Sequence, residues 1–485
     1  MTPRAEDQIR DIAARLIEGL SKPQRRRALG LITGIIATGC VQASSIGRFE
    51  HARGTRGPMG RPTTAANHAR NYRRFLSSGQ DELDALLVRN AIRLHLERTE
   101  DADLVFHVDD TDVARPWATS KTAGMSNLID ASASGQPTGR KRLHTGHHVT
   151  GLSGLGYATR RRRSRRRLRR RRLTDDDRAA RKPQRIPLAW RAYVHKAKKG
   201  AAAKEAFSFL IAELGRQLGS RPGLVLLDRG YRGTEWFRTM DRALEPAPNA
   251  HWAVLLGDEK GGRFLAMQVK DRVWKTARVN DLIDDVKCDK IFYLPHPRYP
   301  DKREIRVLVG FRKVHTIRNA TRRNGKLSAP REPEERTLAI MKSKYLTCPM
   351  PFLMNGRVRT MAWARKLARS FLHRQMREDC MRGAKQLFGA ERLRVWKHMA
   401  SIQRSLLFCS LAHFVVSRLN LSLGLFRAKA IKAAGWFGPA PERDHTYRLA
   451  AGLRYLLLRG QYRGPNWRPV FRRQEPWVVD PWSVG

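Results

Sequence analysis

Leu104-Val105-Phe106-His107-Val108-Asp109-Asp110-Thr111-Asp112 is an apolar run that ends in acid. A short continuous apolar stretch suits a buried strand, and unpaired carboxylates at its end do not belong in a core. The device returns at Leu224-Val225-Leu226-Leu227-Asp228, a compact central strand closed by one acid. Between the two, His147 to Leu152 reads as a second strand and Ile186 to Val194 as a third. Ala201 to Leu218 carries Ala206, Phe209, Leu210, Leu214 and Leu218 at helical spacing. Strand, strand, strand, helix, strand is an α/β order, and acids at strand ends lie where such a sheet opens to a ligand.

That order, with acids after the first and fourth strands, is the order of a ribonuclease H-like fold. A third acid belongs to a helix. Phe371, Arg374, Glu378 and Lys385 fall within a stripe roughly 60° wide on one helical face, so one carboxylate is flanked by two cations. Three acids on separate elements of a very basic chain point to metal-assisted chemistry on a phosphodiester. Side chains alternate along a strand, so only one of Asp109 and Asp110 faces such a site. The Asp-x-Thr spacing favours Asp109.

Lysine and arginine number 95 against 44 acids, a formal net charge of +51 over 485 residues. Eleven arginines crowd into Arg160 to Arg172, between the second and third strands, but the excess extends well beyond that run. A surface of this kind attracts polyanions, chiefly DNA or RNA. The run itself cannot enter a core; it reads equally as a phosphate clamp at a hairpin tip or as a solvated insertion. No polybasic amphipathic anchor favours a membrane. The five cysteines, Cys40, Cys288, Cys348, Cys380 and Cys409, are scattered and form no CxxC pair, which argues against a disulfide scaffold and for a reducing compartment. The N-terminus reads as an amphipathic helix, and Leu406 to Val416 as a buried helix too short to span a bilayer. The expected location is the cytoplasm.

Residues 1–100 read as a helical DNA-binding domain. Pro23 after Ser21 marks a helix start, with the helix running to Thr38. Thr63 or Thr64 is placed to cap a helix carrying Arg70, Asn71, Arg73 and Arg74, and another helix runs from Asp81 to about Glu97. Residues 101–231 form the first part of the core. Residues 232–355 are mainly a β-rich insertion, with 315 to 335 read as a loop and Leu338 to Leu346 as its last strand. Residues 356–421 return to the core with the third acid, and 422–485 form a helical tail. His144, His147 and His148 are structural or DNA-contacting, since no cysteine or carboxylate lies near them in sequence.

With these residues in view, the chain resembles the DDE transposases of bacterial insertion sequences, in the subgroup with a β-rich insertion before the last acid. Their C-terminal signature is Tyr, two residues, Arg, three residues, Glu, six residues, Lys; Phe371, Arg374, Glu378 and Lys385 keep all three gaps, with Phe in place of Tyr. Asp228-Arg229-Gly230-Tyr231 matches the second motif and Asp109-Asp110-Thr111 the first. The resemblance implies an enzyme that cleaves its element's ends and joins the 3′-hydroxyls to target DNA. It implies two Mg²⁺ ions (or Mn²⁺) on Asp109, Asp228 and Glu378, with Asp109 bridging. Arg374 and Lys385 would hold double-stranded transposon-end DNA, with Phe371 in the DNA-contacting place of the family's Tyr; Tyr231 and Trp236, just past the second acid, read first as core aromatics and otherwise as a stack for an unpaired base near the cut. A homodimer or larger synaptic complex at the bacterial nucleoid follows. The rival expectations are a ribonuclease H-like nuclease without strand transfer and a silent DNA-binding relative.

Overall fold

The computed structural model describes residues 5–56, 62–78, 81–114, 122–123, 125–129, 143–156, 184–194, 201–231, 233–256, 264–270, 273–295, 304–318, 322–323, 326–327, 331–344, 349–356, 360–371, 380–381, 383–385, 387–393, 398–422, 425–433 and 445–459. The protein is mixed α/β. It opens with helices α1 (Ala5–Leu16), α2 (Lys22–Thr38), α3 (Ala43–Ala52), α4 (Ala65–Ser77) and α5 (Asp81–Leu96). Ser21 is the N-cap of α2, with Pro23 in the first turn, and the helix stops at Gly39, whose φ of 63° suits glycine. Thr64, rather than Thr63, caps α4 by accepting from the Asn67 amide at 3.2 Å. Helix α3 had no clear sequence signal, because its apolar residues Ile46 and Phe49 are sparse within one short segment.

The strands are β1 (Val105–Ala114), β2 (Ser126–Ile129), β3 (Leu143–Gly156), β4 (Gln184–Tyr193), β5 (Leu224–Leu227), β6 (His251–Leu255), β7 (Phe264–Lys270), β8 (Val273–Arg278), β9 (Lys290–Pro295), β10 (Glu304–Arg318), β11 (Arg322–Arg323), β12 (Lys326–Leu327), β13 (Arg331–Lys342) and β14 (Met350–Asn355). Among the described residues twelve of them join one sheet in the order β2-β3-β1-β5-β6-β14-β13-β10-β7-β8, with β4 also on β3 and β9 on β10. Strands β1, β3 and β4 are antiparallel neighbours, whereas β5 runs parallel to β1 and β6 parallel to β5. The parallel steps are bridged by α6 (Ala201–Leu218) and α7 (Thr234–Ala243).

The segment expected as an insertion extends this sheet, since β14 pairs antiparallel with β6. Residues 315 to 335 are also less of a loop than their polarity suggested. Strand β10 continues to Arg318 and β13 starts at Arg331, with Thr316 opposite Glu334. Cross-strand charge replaces apolar packing there, as in the Lys313–Glu335 pair at 2.9 Å. The last strand expected at Leu338 to Leu346 is the end of β13, and β14 follows it.

Alternation divides the sheet's contacts between two cores. Phe106, Val108, Val225, Leu227, Trp252 and Val254 join Phe207, Leu210, Leu214 and Phe237 of α6 and α7. Val105, Leu155, Leu224, Leu226, Ala253 and Leu255 join Ala364, Leu367 and Ala368 of helix α8 (Met361–Phe371). Lys366 Nζ of α8 donates to the Pro222 carbonyl, and Arg369 pairs with Asp103, so α8 is fastened beside the starts of β5 and β1. Burial lowers the Lys366 ammonium to about 8.

The first core also takes in the N-terminal helices and α9 (Met399–Leu421), followed by α10 (Leu425–Ala433) and α11 (His445–Arg459). The helices of residues 5–96 therefore share their interior with the C-terminal region. Arg404 of α9 makes the tie specific: its guanidinium pairs with Asp84 of α5 at 2.7 Å, both side chains being almost fully buried, and donates to the Phe75 carbonyl at 2.9 Å. Helix α9 is the one described helix long and apolar enough to cross a bilayer, and it is mostly buried inside the protein. Among the described residues no disulfide forms.

Candidate active site

Val108 of β1 is level with Leu227 of β5 across a parallel pair, and the next residue on each strand is an aspartate. Neighbouring strands lie about 4.8 Å apart, so Asp109, within β1, and Asp228, just past the end of β5, are neighbours along the backbone. Val108 and Leu227 point into the core with α6. Asp109 and Asp228 follow them in the alternation, on the face of Val105, Leu224 and Leu226 that α8 covers. Asp109 is 9% exposed and Asp228 half-buried.

Across β3, the partner of Asp109 is Gly151, which in turn faces Trp190 of β4. A Cβ on Gly151 would come within 2.4 Å of the Met381 methyl and 3.1 Å of Trp190 Nε1. The chain beyond α8 thus returns to the sheet at the level of Asp109, three residues after Glu378. Glu378 and Arg374 themselves lie outside the described residues, and Phe371 is described only as the last residue of α8. Lys385 is half-buried, near Glu391, whose carboxyl is raised by burial and pulled back by the Lys385 charge.

Asp110 faces the other way. It accepts a hydrogen bond from Thr150 Oγ1 at 2.7 Å, Thr150 being its partner on β3. It keeps access to solvent yet is ringed by protein; desolvation raises its carboxyl, opposed by the hydroxyls of Thr150 and Tyr231. Asp112 takes His148 Nδ1 at 2.7 Å, and the His148 ring stacks on Tyr193 at 5.6 Å. His148 therefore has a carboxylate partner that linear spacing hid, and His147 is fully buried. Among the described residues no group of three or more His, Cys, Asp or Glu side chains is arranged to hold a metal.

Of the two readings of Tyr231, the structure shows the core aromatic. Its ring is 3% exposed, packed on Phe207 at 5.1 Å and Trp236 at 4.9 Å, so neither face is open to a base. Thr150, Gly151, Tyr193 and Met381 had no individual motif to mark them. The one available signal was glycine within a strand, at Gly151 and Gly154, which signals close approach of another group.

A basic surface stands on the N-terminal helices. Helix α4 buries His68, Ala69, Tyr72, Phe75 and Leu76 and exposes Asn67, Arg70, Arg73 and Arg74, with no acid in the helix. Arg26, Arg27 and Arg53 lie close enough to act on Tyr72, whose hydroxyl is raised chiefly by burial. The Arg160 to Arg172 run lies outside the described residues, on the connection between antiparallel neighbours β3 and β4.

No family model and no curated protein matches the chain.

Proposed function

We propose that the protein is a DNA transposase of the DDE kind on a ribonuclease H-like core, cutting the ends of its element and joining the 3′-hydroxyls to target DNA. The observation that supports it most is the placement of Asp109 and Asp228, each the residue after the level pair Val108 and Leu227 of neighbouring parallel strands. The sheet order β4-β3-β1-β5-β6, three antiparallel strands and then two parallel ones, supports the core assignment.

Two adjacent carboxylates are hard oxygen donors of the sort Mg²⁺ takes while keeping several waters. Bound Mg²⁺ would supply activation of the attacking hydroxyl and neutralisation of the leaving oxygen. Asp109, Asp228 and Glu378 are the residues that would hold the ions. Arg374 and Lys385 hold DNA phosphates, Arg374 by its planar fork. Phe371 lacks the hydroxyl that the resembling family offers to DNA at this point, so it contributes apolar contact alone.

The test is incubation of purified protein with its own flanking DNA and Mg²⁺, beside Asp109→Asn, Asp228→Asn and Glu378→Gln. Nicks at the element ends and joined products, lost in all three variants while DNA binding persists, are expected. Cleavage without joined products would leave a nuclease. Binding without cleavage by the wild type on verified ends would sink the catalytic reading.

A further inference from the structure

We infer that Arg454, on the C-terminal helix α11, is a positioning residue for strand cleavage, its guanidinium fixing the stretch that leads on from Glu378 and Lys385 against helix α2. This rests on the reading of Glu378 as a metal ligand and of the α4 arginines as DNA contacts. Three distant parts of the chain meet at this one side chain. Its Nε donates to the Ile36 carbonyl, in the last turn of α2, at 3.2 Å, and its Nη2 donates to the Leu387 carbonyl. Leu387 stands two residues after Lys385 and nine after Glu378.

Two glycines make the notch that admits the guanidinium. Gly39 closes α2 with a φ of 63°, and a Cβ there would come within 2.6 Å of Arg454 Cζ. Gly389 has a φ of 71°, and its Cβ would come within 2.6 Å of the Gly39 carbonyl oxygen and 2.9 Å of Cys40 Cα. Positive φ and want of room both demand glycine at these two places. Gln42 adds a second tie, donating from Nε2 to the Arg392 carbonyl at 3.0 Å. On α9, His413 stacks on the Phe388 ring at 5.1 Å, and Cys409 Sγ donates to the Phe388 carbonyl at 3.4 Å. A cation at the end of α2 also meets the negative end of the helix dipole. Burial, and then the Arg392 charge, lower the Arg454 guanidinium to about 10, which leaves it charged at neutral pH.

The consequence lies in what the joined parts carry. Helix α2 is seated against α4, Gly30 having no room for a Cβ beneath the Tyr72 hydroxyl. Helix α4 displays Arg70, Arg73 and Arg74. A duplex gripped there meets Glu378 in productive geometry only while residues 387–393 keep their place on α2. Binding at the helices is then spent on alignment at the acids.

The experiment compares wild type, Arg454→Met, Arg454→Lys and Gln42→Ala on duplex DNA carrying the element's end. It reads cooperative melting, affinity by fluorescence anisotropy, and single-turnover cleavage with Mg²⁺ at saturating protein. Gln42 makes its bond near the surface, so its variant keeps the test decisive should Arg454→Met fail to fold. Arg454→Met is expected to bind DNA within about threefold of wild type, since no phosphate contact is removed. It is expected to cleave on the order of a hundredfold more slowly, the effect of a displacement of about 1 Å. Arg454→Lys keeps the charge and reaches one carbonyl at a time, and is expected to recover about a tenth of the wild-type rate. Gln42→Ala is expected to slow cleavage about three- to tenfold with affinity and melting unchanged. A wild-type cleavage rate in Arg454→Met, or in Gln42→Ala if the first variant does not fold, overturns the positioning role and leaves the acids as assigned. Affinity that falls in proportion to the rate overturns it too, since the side chain would then serve the grip on DNA alone. If the wild type itself leaves verified ends uncut, the reading of the acids fails and this role goes with it.

Discussion

The Met381 methyl lies over Gly151, in the space a Cβ at that position would occupy at 2.4 Å. Gly151 is directly opposite Asp109 on the neighbouring strand. The absence of one methyl group on β3 is what lets the Met381 side chain lie against the strand opposite the first aspartate.

Gly151→Ala is therefore expected to turn the Met381 methyl aside and to crowd Trp190. Because the end of a flexible side chain gives way, the stability loss is expected at the low end of overpacking, about 1 kcal/mol. A displacement of about 1 Å in a catalytic constellation costs on the order of a hundredfold in rate. Strand-cleavage rates and thermal melts of the variant measure both; an unchanged rate would show that residues 380–381 do not govern the third acid.

Arg404→Met is expected to be among the most destabilising single changes in the chain. It leaves the Asp84 carboxylate buried and unpaired, and strips a donor from the Phe75 carbonyl. Breaking a buried pair from one side costs about 3–5 kcal/mol. Urea denaturation reads this directly, and a loss under about 1 kcal/mol would mean that α5 and α9 are held together by their apolar faces alone.

Acid should weaken the fold through His413. Burial lowers its imidazole from 6.5 to about 3, so the folded protein keeps it neutral while the unfolded chain protonates it. The stabilisation is present above pH 6.5 and is lost as pH falls from there toward 3. Between pH 7 and pH 5 the loss is about 2 kcal/mol for this one group. His413→Leu is expected to lose that much less over the same interval, by denaturation at the two pH values. His95, fully buried and lowered the same way, leaves a residual acid sensitivity.

The exposed arginines of α4 are expected to neutralise DNA phosphates. Each phosphate contact contributes about 0.9 to the slope of log affinity against log salt. Replacing Arg70, Arg73 and Arg74 together by alanine should flatten that slope by roughly 2 to 3, measured by fluorescence anisotropy on duplex DNA from 50 to about 200 mM salt. An unchanged slope would move DNA to another face.

Much of the arrangement around Asp109 and Asp228 was legible in sequence because it rests on short-range periodicity. The apolar run 104–108 opens β1, which continues through the acids to Ala114; the run 224–227 is β5, and the helical spacing over Ala201 to Leu218 is α6 in full. Strand β14 escaped notice because Met350-Pro351-Phe352-Leu353 lacks alternation, both of its faces being buried. Helices α1 to α5 read as a unit of their own because their sequence shows apolar faces but not what covers them; α9 lies more than 300 residues away.

Sequence by itself marked the apolar runs at 104–108 and 224–227, the acids that follow them and the basic excess, since each follows from residues a few places apart; Asp109 proved to lie within β1, which continues to Ala114. Only tertiary structure set which face of the sheet each of Asp109 and Asp110 takes. Alternation says that the two oppose each other, but which of them shares a face with Leu224 and Leu226 depends on the register of β1 against β5, and hydrogen bonds between residues more than a hundred places apart set that register.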